Sequence, residues 1–103
     1  MRSTKVFISG RVAGLPREEA VRNFKRGEKM LISNTFDFIN PLEVVPEEAT
    51  PAEAMTILLP LLTNKDCDGI LLLNDNKFSE GSQIEEMLAR YCGKQIFYED
   101  DLI

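Results

Sequence analysis

The chain has 103 residues, 44% of them hydrophobic and 28% charged, with a formal net charge of −5. This is the size and composition of one ordinary globular domain spanning residues 1–103, with room for a single modest core. The charge excludes a nucleic-acid polymer as partner, because a phosphate backbone needs concentrated Lys and Arg and no basic run exceeds Lys25-Arg26.

Lys5-Val6-Phe7-Ile8-Ser9 is a β-branched and aromatic run that reads as a strand and ends in the turn-rich Gly10-Arg11-Val12-Ala13-Gly14. Pro16 opens a helix, with Glu18 and Glu19 suited to its positive end, and Ala20, Phe24, Gly27 and Leu31 recur at helical spacing. Gly27 inside that helix predicts close packing on a sheet. Phe36-Asp37-Phe38-Ile39 reads as a second short strand closed by Asn40-Pro41, and Leu42 to Ala49 as a loop. Thr50-Pro51-Ala52-Glu53 carries a cap, a proline at the first helical position and a capping-box glutamate, so a second helix begins there and Pro60 should kink or end it. Gly69 to Leu73 is apolar without alternation, as in a parallel strand buried on both faces. A polar loop, Asn74 to Ser79, leads to a third helix with Ile84, Met87, Leu88 and Tyr91 on one face and Gly93 as its left-handed stop. Gln95-Ile96-Phe97-Tyr98 is the last strand, followed by an acidic tail expected to be solvated. Strands alternating with helices predict an α/β fold: a four-stranded parallel sheet in the order 2-1-3-4 with helices on both faces.

Without histidine, any acid/base chemistry must use carboxylates, Lys, Tyr or Cys. Cys67 and Cys92 lack metal-ligand spacing and read as two buried reduced thiols, so neither a metal nor another cofactor is expected. No apolar run reaches the length of a membrane span, and the start Met1-Arg2-Ser3-Thr4-Lys5 leads into an apolar stretch too short for a signal peptide. The expectation is a cytoplasmic protein without a membrane partner.

In an open α/β sheet, ligands bind beyond the carboxyl ends of the strands, where the strand order reverses. The residues reaching that edge are Ser9, Gly10 and Arg11 after the first strand, Asn40 after the second, and Ser79, Gly81, Ser82 and Glu85 after the third. Gly10 lets backbone approach a ligand, and Arg11 is suited to fork onto a phosphate or carboxylate, though a solvated turn arginine fits as well. Asn40 serves equally as a loop-backbone partner. Asp66 and Asp68 precede their strand and read as turn residues. Ser82-x-x-Glu85 reads two ways: a capping box, in which Glu85 serves its own helix, or a carboxylate in the first turn facing the crevice.

The ordered pieces Lys5-Val6-Phe7-Ile8-Ser9-Gly10, Asn23-Phe24, Asn40-Pro41, Asp68-Gly69, Ser79-x-Gly81-x-x-x-Glu85 and Gly93-Lys94 span nearly the whole chain. Together they resemble the nucleoside 2-deoxyribosyltransferase superfamily, and within it a branch of small bacterial and phage-associated proteins. The resemblance implies a flavodoxin-like three-layer sandwich, a homo-oligomer, and a small-molecule nucleoside or nucleotide as ligand. It implies that Glu85 is the nucleophile of an N-glycosidic-bond enzyme acting on deoxynucleosides or deoxynucleotides by hydrolysis or deoxyribosyl transfer. Ser9, Gly10, Arg11, Asn40, Ser79, Gly81 and Ser82 would then bind substrate. The chain departs from the transferases at Ser79, where they carry an Asp, at Phe7, where they carry an aromatic hydroxyl, and at Ile57-Leu58-Leu59-Pro60, where a further Asp is absent. Asp75, Glu80 and Glu86 are the local acids left to protonate a base. The alternative function is a non-catalytic nucleoside- or nucleotide-binding module with a degenerate site.

Overall fold

The structure, a computed structural model, describes residues 3–102. Met1 and Arg2 of the expected start and Ile103 of the acidic tail lie outside the described residues. Strand β1 (Lys5–Ser9) runs into α1 (Arg17–Ser33), β2 (Asp37–Ile39), a short α2 (Pro41–Val44), α3 (Pro51–Thr63), β3 (Gly69–Leu72), α4 (Glu80–Tyr91) and β4 (Gln95–Tyr98). Single 3₁₀ turns cover Asn76–Phe78 and Glu99–Asp101. The four strands pair in the order β2-β1-β3-β4, all parallel, and no helix among the described residues is long and apolar enough to cross a membrane.

The layers follow from alternation along buried strands. Val6 and Ile8 of β1 join Leu71 and Leu73 under Phe24 and Leu31 of α1. Phe7, Ile70 and Leu72 point the other way, against Leu58 and Leu62 of α3 and Ala89 of α4. Gly27 gives α1 its close approach, since an added Cβ would lie 3.2 Å from Leu73 and 3.3 Å from Ile8. Ser9 is level with Leu72 in the β1–β3 register. The chain leaving β1 turns to one face and the chain leaving β3 to the other, which opens a crevice between them.

Local signals hold where the chemistry is local. Thr50 Oγ1 accepts from the Glu53 N–H while Glu53 reaches back to the Thr50 N–H, a complete capping box. Gly93 adopts φ +72°, and the Lys94 N–H closes on the Ala89 carbonyl to end α4.

Other expectations are corrected. Pro60 does not stop α3, which continues to Thr63. It sits on an exposed side of the last turn, where only one helical bond is forfeited while Leu58 and Leu62 stay in the core. The expected loop after Pro41 begins with α2, because the Asn40 side chain caps it by accepting from the Leu42 N–H at 3.0 Å. Cys67 is buried but Cys92, just past α4, is exposed, and both are free thiols. The tail is not all solvated. Glu99 is 2% exposed, forks onto the Arg26 guanidinium, and accepts from the Asn74 N–H at 2.9 Å. The apolar face of α4 also turns outward: Met87 is 69% and Tyr91 88% exposed, with Ile84 beside them. The face that meets the sheet carries Ser82, Glu85 and Ala89 instead.

Candidate active site

Ser79, not Ser82, caps α4, its Oγ accepting from the Ser82 N–H at 3.1 Å. The helix therefore begins at Glu80, one turn earlier than a Ser82 cap would place it, and Glu85 falls in the second turn rather than the first. From there Glu85 makes no cap. Its side chain crosses to the end of β1, where Ser9 Oγ donates to Glu85 Oε1 at 2.7 Å. Ser9 Oγ is also 2.6 Å from Ser82 Oγ. With the Ser9 proton committed to the carboxylate, Ser82 donates to Ser9, and the three groups form a short chain ending on Oε1. Among the described residues Oε2 has no hydrogen-bond partner and no cation pairs with Glu85.

Glu85 is 5% exposed. Burial raises its pKa to about 7, against the opposing pull of the Ser9 hydrogen bond. Near neutral pH the group is thus divided between carboxylate and acid, the condition in which a carboxyl group can act in either sense.

Glu85 lines a cavity of about 530 Å³ at the carboxyl end of the sheet. Gly10, Ser79, Gly81 and Ser82 share its wall, with Arg17, Glu47 and Glu80. Most of the remaining lining is apolar, including Leu15, Leu42, Val45, Met55 and Phe78. Gly10 is needed for packing as well as access, because a Cβ there would meet Leu73 at 2.7 Å. Gly81 allows Met55 to close against the helix start, with only 2.9 Å available to a Cβ.

The expected residues divide into two groups. Ser9, Ser82 and Glu85 are hydrogen-bonded together, and Gly10, Ser79 and Gly81 flank them. Arg11 and Asn40 are not brought to the cavity wall. The Arg11 guanidinium folds back to donate to the Ala13 carbonyl at 3.3 Å, while its backbone N–H donates to Asp75 at 3.1 Å. Asn40 is buried and donates to Glu28 at 2.6 Å, so it holds α2, whose Pro41 and Leu42 form cavity wall. Of the three candidate acids, only Glu80 lines the cavity. Asp75 is engaged by Arg11, and Glu86 by Arg90 and Asn76.

Sequence reasoning missed Arg17 and Glu47. Arg17 donates to the Leu42 carbonyl and pairs with Glu47 at 3.6 Å, tying the start of α1 to the loop before α3. No local pattern marks this pair, because it depends on where α2 carries the chain. Among the described residues no group of three or more Cys, Asp or Glu is placed to hold a metal ion.

No curated protein and no solved structure matches the chain. Residues 4–98 match the family model described as a domain of unknown function, DUF4406. With nearly its whole length covered by that match, the chain belongs to the DUF4406 family.

Proposed function

We propose that this protein cleaves the N-glycosidic bond of a deoxynucleoside or deoxynucleotide, with Glu85 as nucleophile. The observation that carries the reading is a buried glutamate in a cavity wall with one oxygen held by Ser9 and the other unpartnered. The resemblance to the nucleoside 2-deoxyribosyltransferases supplies the chemistry. Glu85 Oε2 attacks the anomeric carbon, the C–O ester bond forms, and the glycosidic C–N bond breaks with its electron pair going to the base. The departing base takes its proton from solvent, which reaches the open cavity. Water, or a second base, then attacks the same carbon and the Glu85 carboxylate leaves. With either acceptor, the surplus proton it carries passes to solvent.

A second reading is a binding module that retains the pocket without turnover. It is favoured by Ser79, which stands where the transferases carry an acid and is occupied in capping α4.

Incubation with deoxynucleosides and their 5′-monophosphates, with chromatography for free base, separates the two. The enzyme reading expects base release that falls roughly 10³-fold or more in Glu85→Gln, since that variant lacks the nucleophile. Binding of a nucleoside with no base release from any substrate would establish the module instead.

The homo-oligomer implied by the resemblance would bury the exposed Ile84, Met87 and Tyr91 of α4 against a second copy. Their spacing of three and four residues lets two such helices pair through the same face.

A further inference from the structure

Phe78 is the one apolar residue of the polar segment Asn74 to Ser79. It does not join the core: it is 66% exposed and yet lines the same cavity as Glu85. Its backbone is fixed from both sides. The Phe78 N–H donates to the Asp75 carbonyl at 3.0 Å, the Ser79 N–H to the Asn76 carbonyl at 3.1 Å, and Gln83 Nε2 to the Lys77 carbonyl at 2.7 Å. The next residue is the cap of α4. A large aromatic ring is therefore presented at the mouth of the cavity by a hydrogen-bonded turn.

Among the described residues, no other aromatic ring pairs with it; the single ring pair is Phe36 with Phe97. Lys77 Nζ lies 5.2 Å from the Phe78 centroid. One ammonium can cover only one face of a ring. Neither nearby guanidinium is turned to an anionic ligand, since Arg17 is engaged by Leu42 and Glu47, and Arg11 is turned back on its own loop. Met55, drawn in against Gly81, adds to the apolar lining of the same cavity. A wall of this kind recognises a flat, uncharged, polarisable group by stacking and area burial.

We infer that Phe78 is the specificity-determining platform on which the planar heteroaromatic base of the ligand stacks, leaving the sugar toward Glu85. This rests on reading the cavity as a nucleoside site and adds which part of the ligand is held, and by what. Base–aromatic stacking tolerates different bases because each has a π-face, so the platform selects for ring area more than for a hydrogen-bonding edge.

The test titrates the full chain, as wild type, Phe78→Ala and Phe78→Leu, with free adenine and separately with 2-deoxyribose, and follows binding by NMR. Deoxyadenosine turnover is measured on the same three proteins. Phe78→Ala should weaken adenine binding about ten- to a hundredfold. Phe78→Leu, which keeps apolar bulk and loses the π-face, should restore only part of it, and deoxyribose binding should not change. Both variants alter an exposed side chain, and unchanged thermal midpoints verify their folding. Adenine binding that is absent in the wild type, or equal in wild type and Phe78→Ala, overturns the inference, as does a loss confined to deoxyribose. Turnover with an unaltered KM in Phe78→Ala removes this role and leaves the enzyme reading standing. Adenine binding through Phe78 without turnover of any nucleoside does the reverse.

Discussion

Two glutamates are buried at the carboxyl end of the same sheet and are treated in opposite ways. Glu99, after β4, receives a two-pronged guanidinium from Arg26 and a backbone N–H from Asn74. Burial pushes its pKa up, but the Arg26 and Asn74 bonds together outweigh that and hold it below the ordinary carboxylate range. Glu85, after β3, receives one serine hydroxyl and no cation among the described residues, and burial prevails. A carboxylate whose role is to pin a tail is saturated with partners. The one in the cavity wall keeps an oxygen open and bears the desolvation cost. The two therefore give opposite pH dependences of stability.

The comparison breaks most visibly at Glu85. Its native pKa of about 7 lies above the 4.5 of the free group. The native state is unpenalised below pH 4.5, loses stability as pH rises from 4.5 to 7, and carries the full cost above that. Glu85→Gln removes the charge, so it should stabilise the protein by about 3 kcal/mol at pH 8 and by nothing comparable at pH 4. Thermal melts across that range decide the matter, and a gain of equal size at pH 4 would contradict the assignment of burial as the cause.

Arg26→Ala should act in the other direction, costing about 2 kcal/mol at pH 7. This is less than for a fully enclosed pair, because Arg26 is itself half-exposed. Glu99 stabilises the native state above its unfolded pKa, and that contribution is lost as the solution is acidified through its lowered native value. The Arg26→Ala deficit should accordingly shrink in acid, and denaturant titrations at pH 7 and pH 3 measure it.

Ser9→Ala sharpens the comparison by removing the one partner Glu85 has. The Glu85 titration should move up by about one pH unit, read from its carboxyl carbon by NMR. If the midpoint stays near 7, Ser9 is packing and nothing more.

Much of the fold was legible because its signals are local. β1 and β4 are contiguous β-branched or aromatic runs, and α3 opens on a complete capping box. The site was legible in part. Gly10, Ser79, Gly81, Ser82 and Glu85 line one cavity, while Arg11 and Asn40 serve their own loops. What escaped depends on tertiary placement. Helical periodicity in α4 finds an apolar face at Ile84, Met87, Leu88 and Tyr91 but cannot say that Leu88 alone of these packs on the core while the other three point outward. The inward positions are given to Ser82 and Glu85, polar groups that a reading by hydropathy assigns to solvent. Glu99 was misplaced for the same reason: an acidic run looks solvated until Arg26, 73 residues earlier, is folded against it.

The strand order has a consequence for how the chain is made. β1 is synthesised first, yet it lies in the middle of the sheet and needs both β2 and β3 beside it. Its hydroxyl at Ser9 finds Glu85 only 76 positions later. A nascent chain that has passed β2 still presents one whole unpaired edge of β1, and the cavity wall stays incomplete until α4 emerges. Such non-local closure leaves the early chain open to mispairing until β3 and α4 have emerged. Expression temperature should therefore affect the folded yield of this domain.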